Sequence, residues 1–163
     1  MARLHIPVPD KVLPWQVTVS AVALLIGAVN CTAVALSNIS RMGDRAGIKA
    51  AIEEGDTVLG STVAEGFDHY YISMTVFSTM GLIYLVLGLL LWRGEHRHGV
   101  RMIGTIMAAV NVIGLTGMLV TTGGSAFQQT SSLVVHLVVQ IVILIGMIML
   151  WEGGGRRWEH QGA

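Results

Sequence analysis

Four long apolar runs, Val17 to Leu36, Tyr70 to Trp92, Met102 to Val120 and Leu133 to Trp151, alternate with stretches where charged and small polar residues gather. A hydrocarbon core of about 30 Å takes about 20 helical residues at 1.5 Å each, and each run meets that length. The pattern predicts an all-α protein, an integral membrane four-helix bundle forming one domain over residues 1–163. Its helices are expected at about 15–37, 69–92, 101–121 and 131–151, with a long outer loop over 38–68 and a flexible tail over 152–163. The prolines Pro7, Pro9 and Pro14 keep the first segment out of helix until Pro14, which suits a first helical turn. Within the long loop, Ile48 and Ile52 lie four apart. That spacing predicts a short amphipathic helix from Ala46 to Glu54, broken at Gly55 and resumed over 57–64. Asp68 is the expected N-cap of the second membrane helix, and Tyr70 and Tyr71 sit where interfacial aromatics belong. Phe77, Gly81, Tyr84 and Gly88 form a heptad-like seam on that helix, whose glycines admit a neighbouring backbone.

The last run carries a histidine and a glutamine where hydrocarbon tolerates neither well. His136 and Gln140 are four apart and share one helical face, with Ser132 one turn further out. Other helices must cover that face. Asn30 on the first run, Asn111 on the third and Ser73 at the start of the second are available partners. Taken with the orientation argued below, all of these fall at the centre or in the outer half of the membrane. Two arrangements follow from the same residues. In one, Asn30, Asn111, His136 and Gln140 satisfy one another as a closed hydrogen-bond cluster. In the other, they line an outward-facing polar pocket capped by the acidic loop, with His136 as its titratable group. A neutral imidazole there would accept a proton or donate one hydrogen bond. Asp68, His69 and Glu65 at the rim would supply the complementary acid or base, and Asn30, Asn111, Gln140, Tyr70, Tyr71 and Ser73 would bind substrate.

Composition sharpens the membrane reading. Of 163 residues, 53% are hydrophobic and only 12% charged, too few charges for a water-exposed surface. Ten cations balance ten acidic residues, so no nucleic-acid partner is expected. Arg3, Lys11, Arg93, Arg97, Arg101, Arg156 and Arg157 fall on one side of an alternating topology, and Arg41, Arg45 and Lys49 on the other. With four spans expected in a multi-pass protein, that asymmetry predicts both termini in the cytoplasm. The turn from Arg93 to Arg101, with His96 and His98, is expected to face anionic lipid, as are Arg156, Arg157 and Trp158 of the tail. A single cysteine, Cys31, excludes an internal disulfide. No metal site is assigned. A quinone carbonyl would fit the polar residues, whereas a bis-histidine haem would have only His69 as a second ligand, so no cofactor is assigned.

Cys-x-x-Cys, nucleotide-binding and zinc-protease motifs are all missing from the chain. A long first outer loop followed by two short ones on four helices resembles the layout of DoxX-like, anthrone-oxygenase-like and claudin-like proteins. The likeness is one of layout, and no residue role is transferred from it. The leading expectation is a membrane-embedded binding protein, or a cofactor-free acid/base enzyme of the isomerase, cyclase or hydratase type, for a lipophilic small molecule. A small accessory or assembly subunit of a larger membrane complex is the alternative. A homo-oligomeric, holin-like pore is the third, and it needs a continuous polar stripe that no single helix carries.

Overall fold

Pro14 has no N–H to lose and its carbonyl accepts from the amides of Val17 and Thr18 at 2.9 and 3.2 Å, which fixes where the first helix starts. The computed structural model describes residues 14–56, 59–94, 96–122 and 127–152, and over these the chain is helical with no strand. Five helices follow: α1 Trp15–Gly43, α2 Arg45–Glu53, α3 Val63–Arg93, α4 Arg97–Thr122 and α5 Phe127–Met149. Trp15–Gly43, Val63–Arg93 and Arg97–Gly117 are long and apolar enough to cross a membrane, and Val134–Met149 is a shorter apolar helix. The expected N-terminal segment, the Gly123-Gly124 turn and the tail beyond Glu152 lie outside the described residues.

Helix ends differ from the sequence expectation because helices run on past the apolar stretches. α1 continues through Ser37 to Gly43, and α4 takes in Arg97, His98 and Arg101 of the basic turn. α3 starts at Val63 rather than near His69. Its N-cap is Thr62 and not Asp68: the Thr62 hydroxyl accepts from the Glu65 amide at 3.2 Å, and the Glu65 carboxylate accepts from the Thr62 amide at 3.1 Å. This reciprocal pair satisfies two donors that the first turn leaves open. A resumed helix over 57–64 includes the undescribed residues 57 and 58, and the left-handed Gly60 at φ 84° breaks the backbone just before the cap. At the other end of α3, Gly94 adopts φ 72° and closes the helix in the left-handed conformation that glycine allows cheaply.

α2 matches its predicted place closely. Asp44 caps it, with Oδ1 accepting from the Gly47 amide at 2.9 Å, and Ile48 is buried against Gly66 at the start of α3. The short helix therefore lies on the end of α3 that projects beyond the apolar run.

Among the long helices, α1 packs against both α3 and α5, and α4 packs mainly against α5. Hydrogen bonds give the directions. Moving along α1 from Ser20 to Asn30 moves backwards along α5 from Gly146 to His136, so the two are antiparallel. Likewise Gly88 lies against Ala21 and Leu25, and Gly81 against Ala28 and Cys31, which makes α3 antiparallel to α1. The glycines let the backbones approach closely. A Cβ added to Gly81 would stand 3.2 Å from the Cys31 Cβ, and one added to Gly88 would stand 3.1 Å from Leu25. Val17, Leu24, Tyr84, Leu91, Ile143 and Met147 fill the centre.

Candidate functional site

The antiparallel register stacks buried polar side chains in tiers between α1, α3, α4 and α5. Nearest the α2 end, the Asn38 amide donates to the Ser73 hydroxyl at 2.8 Å. One tier down, Asn30 is hydrogen-bonded to His136 through the ring nitrogen Nδ1. An amide nitrogen only donates, so as placed the Asn30 Nδ2 gives its hydrogen to Nδ1 and leaves the other ring nitrogen, Nε2, carrying the proton. The Phe77 ring stands edge-on to the imidazole, with centroids 4.9 Å apart and planes at 84°. His136 is 3% exposed, and it makes this one hydrogen bond among the described residues.

About 6 Å further along α5, one helical turn, lies the next tier. The Tyr84 hydroxyl donates to Gln140 Oε1 at 2.6 Å and accepts from Asn111 Nδ2, also at 2.6 Å, while Asn111 Nδ2 is 3.4 Å from the same Gln140 oxygen. Tyr84 and Gln140 are both fully buried, and Asn111 is half-buried. Tyr84 packs beside Gly27, the middle of the first apolar run, so this tier sits at mid-span and the His136 tier one turn closer to α2. Gln140 Nε2 is buried and has no hydrogen-bond partner among the described residues. Below it, the Ser20 hydroxyl lies 2.6 Å from the Gly146 carbonyl on α5 and 2.7 Å from the Gln16 carbonyl of its own helix, tying α1 to α5.

Of the residues expected from sequence, the fold brings together Asn30 with His136, and Asn111 with Gln140. Ser73 stands in a separate tier with Asn38. Glu65, Asp68 and His69 precede Phe77 on α3 by eight to twelve residues, which is roughly 12–18 Å along the axis from the level of His136. The Glu65 carboxylate is committed to the cap, accepting from the Ser61 amide at 2.6 Å and the Ser61 hydroxyl at 3.0 Å as well as from Thr62. Asp68 and Tyr71 are exposed at the projecting end of α3. Tyr70 is half-buried there, with its ring edge against His69 and the Arg41 guanidinium 5.8 Å from its centroid. Sequence reasoning placed Tyr84 on a packing seam and missed it as the hub of the mid-span tier. The available signal was a phenol in the middle of an apolar run, since a buried hydroxyl must find a partner.

A second polar group closes the opposite end. The Arg101 guanidinium stacks over the Trp151 ring at 4.1 Å, the Trp151 indole N–H donates to the Thr105 hydroxyl at 3.1 Å, and His98 Nδ1 lies 3.2 Å from Arg101 Nη2. This staple joins the start of α4 to the end of α5. Groups of three or more histidine, cysteine or acidic side chains arranged to hold a metal are absent among the described residues.

Fold and tiers together define an all-helical protein with membrane-length apolar helices and a buried polar centre. Comparison with protein-family models, with curated proteins and with solved structures gives no match.

Proposed function

We propose that this chain is a membrane-embedded binding protein for a lipophilic small molecule. In this reading the four long helices cross the bilayer in alternating directions as a bundle. Both termini are cytoplasmic, the α2 end faces outward, and lipids surround the exposed apolar faces. The observation that carries the reading is His136, an ionisable side chain buried near mid-span with one ring nitrogen engaged by Asn30 and the other without a partner among the described residues. Polar groups at such depth are costly, and a hydrogen-bond cluster that served packing alone would leave fewer of its donors idle. Binding is favoured over acid/base turnover because the groups against His136 are an amide and a phenyl ring, neither of which exchanges a proton.

The test is extraction of the purified wild type, His136→Gln and His136→Leu, each first shown to keep its helix content, with mass spectrometry of the organic phase. A molecule enriched near one per chain in the wild type and lost from both variants is expected. The same extract from all three proteins would contradict the reading.

A further inference from the structure

Gln140, among the described residues, is a fully buried side chain with one end of its amide left without a partner. Its oxygen is fully used, taking the Tyr84 hydroxyl at 2.6 Å with Asn111 Nδ2 at 3.4 Å, while its nitrogen is buried and unpartnered among the described residues. In a hydrocarbon setting no bulk water compensates an idle N–H, and an apolar residue of similar size would avoid the cost. One turn away on the same helix face, His136 carries its ring proton on Nε2 as placed, and among the described residues that nitrogen has no hydrogen-bond acceptor. Side chains at this spacing have Cβ atoms about 5–6 Å apart. A single acceptor oxygen at about 3 Å from each of two donors needs the donor nitrogens within about 6 Å of each other, which the i, i+4 placement of the two side chains on one face permits.

From this we infer that the molecule held at the site carries a carbonyl oxygen, which takes hydrogen bonds from both Gln140 Nε2 and His136 Nε2. A carbonyl has two lone pairs and no proton to donate, which suits a pair of donors. The Phe77 ring on His136 gives the carbonyl's substituents an apolar neighbour, so the ligand class is a lipophilic ketone or related carbonyl compound. Tyr84 and Asn111 are positioning residues. They hold the Gln140 oxygen and so leave the nitrogen as the free end of the amide. The inference rests on the binding reading above, and it specifies what that reading leaves open.

Decanophenone and decylbenzene differ only by a carbonyl in place of a methylene, and they serve as the probe pair. Each is titrated at equal mole fraction into detergent micelles holding the full-length protein, and affinity is taken from the rise in melting temperature. Wild type should be stabilised by decanophenone at lower concentration than by decylbenzene. In Gln140→Met the decanophenone affinity should fall about tenfold, roughly what one good hydrogen bond contributes, with the decylbenzene response unchanged. Tyr84→Phe keeps the ring and releases the amide, so it should narrow the difference between the probes even if Gln140→Met does not fold. A purely structural Tyr84 would lower both responses alike. Equal responses to the two probes in wild type, as expected if a water fills the gap, would overturn the inference. So would full decanophenone affinity in Gln140→Met. If extraction yields an enriched molecule without a carbonyl, this inference falls and the binding reading stands; if no molecule is enriched and neither probe stabilises, both fall.

Discussion

At the scale of single residues, the centre of this protein is decided by which polar atoms find partners. Tyr84 links α3 to α4 and α5 through two hydrogen bonds of 2.6 Å. In membrane bundles such bonds average about 0.6 kcal/mol and reach about 1.7 kcal/mol. A double-mutant cycle on Tyr84→Phe and Asn111→Leu, read from thermal unfolding in detergent, should therefore return a coupling of about 0.6–1.7 kcal/mol, and strict additivity would mean the contact is idle. Gly81 offers a sharper packing test, because Cys31 Cβ and the Ala28 carbonyl would lie 3.2 and 3.4 Å from an added Cβ. Gly81→Val forces α1 and α3 apart and should cost about 1–3 kcal/mol. At Gly114, where no atom of the described residues lies within 4 Å of an added Cβ, the same substitution should cost far less. The polar contacts of His136 with Asn30 and of Gln140 with Asn111 were legible because amides and imidazole stand out against hydrocarbon. Tyr84 was not, since its ring matched the seam and only the fold reveals where its hydroxyl points.

At the scale of elements, periodicity located α2 within a residue because Ile48 and Ile52 set its buried side, whereas the ends of the long helices escaped it. Hydropathy marks where a helix enters hydrocarbon, not where its hydrogen bonding begins, so the polar turns from Val63 to His69 read as loop. The Thr62-x-x-Glu65 capping box was the missed start signal. Thr62→Ala should lower stability by about 1 kcal/mol and raise amide exchange in residues 63–66 first. The acidic rim residues looked like partners of His136 for a related reason: nearness to the interface in sequence is not nearness to a group two to three turns deeper. Ile48 holds α2 on the end of α3 through contact with Gly66. Ile48→Ser with Ile52→Ser should loosen that contact and speed limited proteolysis between Gly43 and Gly60; an unchanged cleavage rate would show that α2 is held by other means.

At the scale of the whole molecule, α1 runs antiparallel to α3 and α5, and Asn111 opposite Gln140 with Thr105 opposite Trp151 sets α4 antiparallel to α5, so in the proposed membrane bundle orientation is a single binary choice. The proposed topology, with the α2 end outside, rests on the distribution of positive charge along the sequence. Cysteines introduced at Ser61 and Gly162 in a Cys31→Ala background should label from outside and only after permeabilisation, respectively; the reverse pattern would invert the bundle. Independent of orientation is the central claim, that His136 and Gln140 present idle N–H groups to a carbonyl near mid-span. Its most direct measurement is the nitrogen-15 spectrum of histidine-labelled protein in nanodiscs, with the His136 signals assigned by their loss in His136→Gln. Added decanophenone should shift the Nε2 resonance of His136 while decylbenzene leaves it in place, and a His136 signal indifferent to both probes would contradict the account.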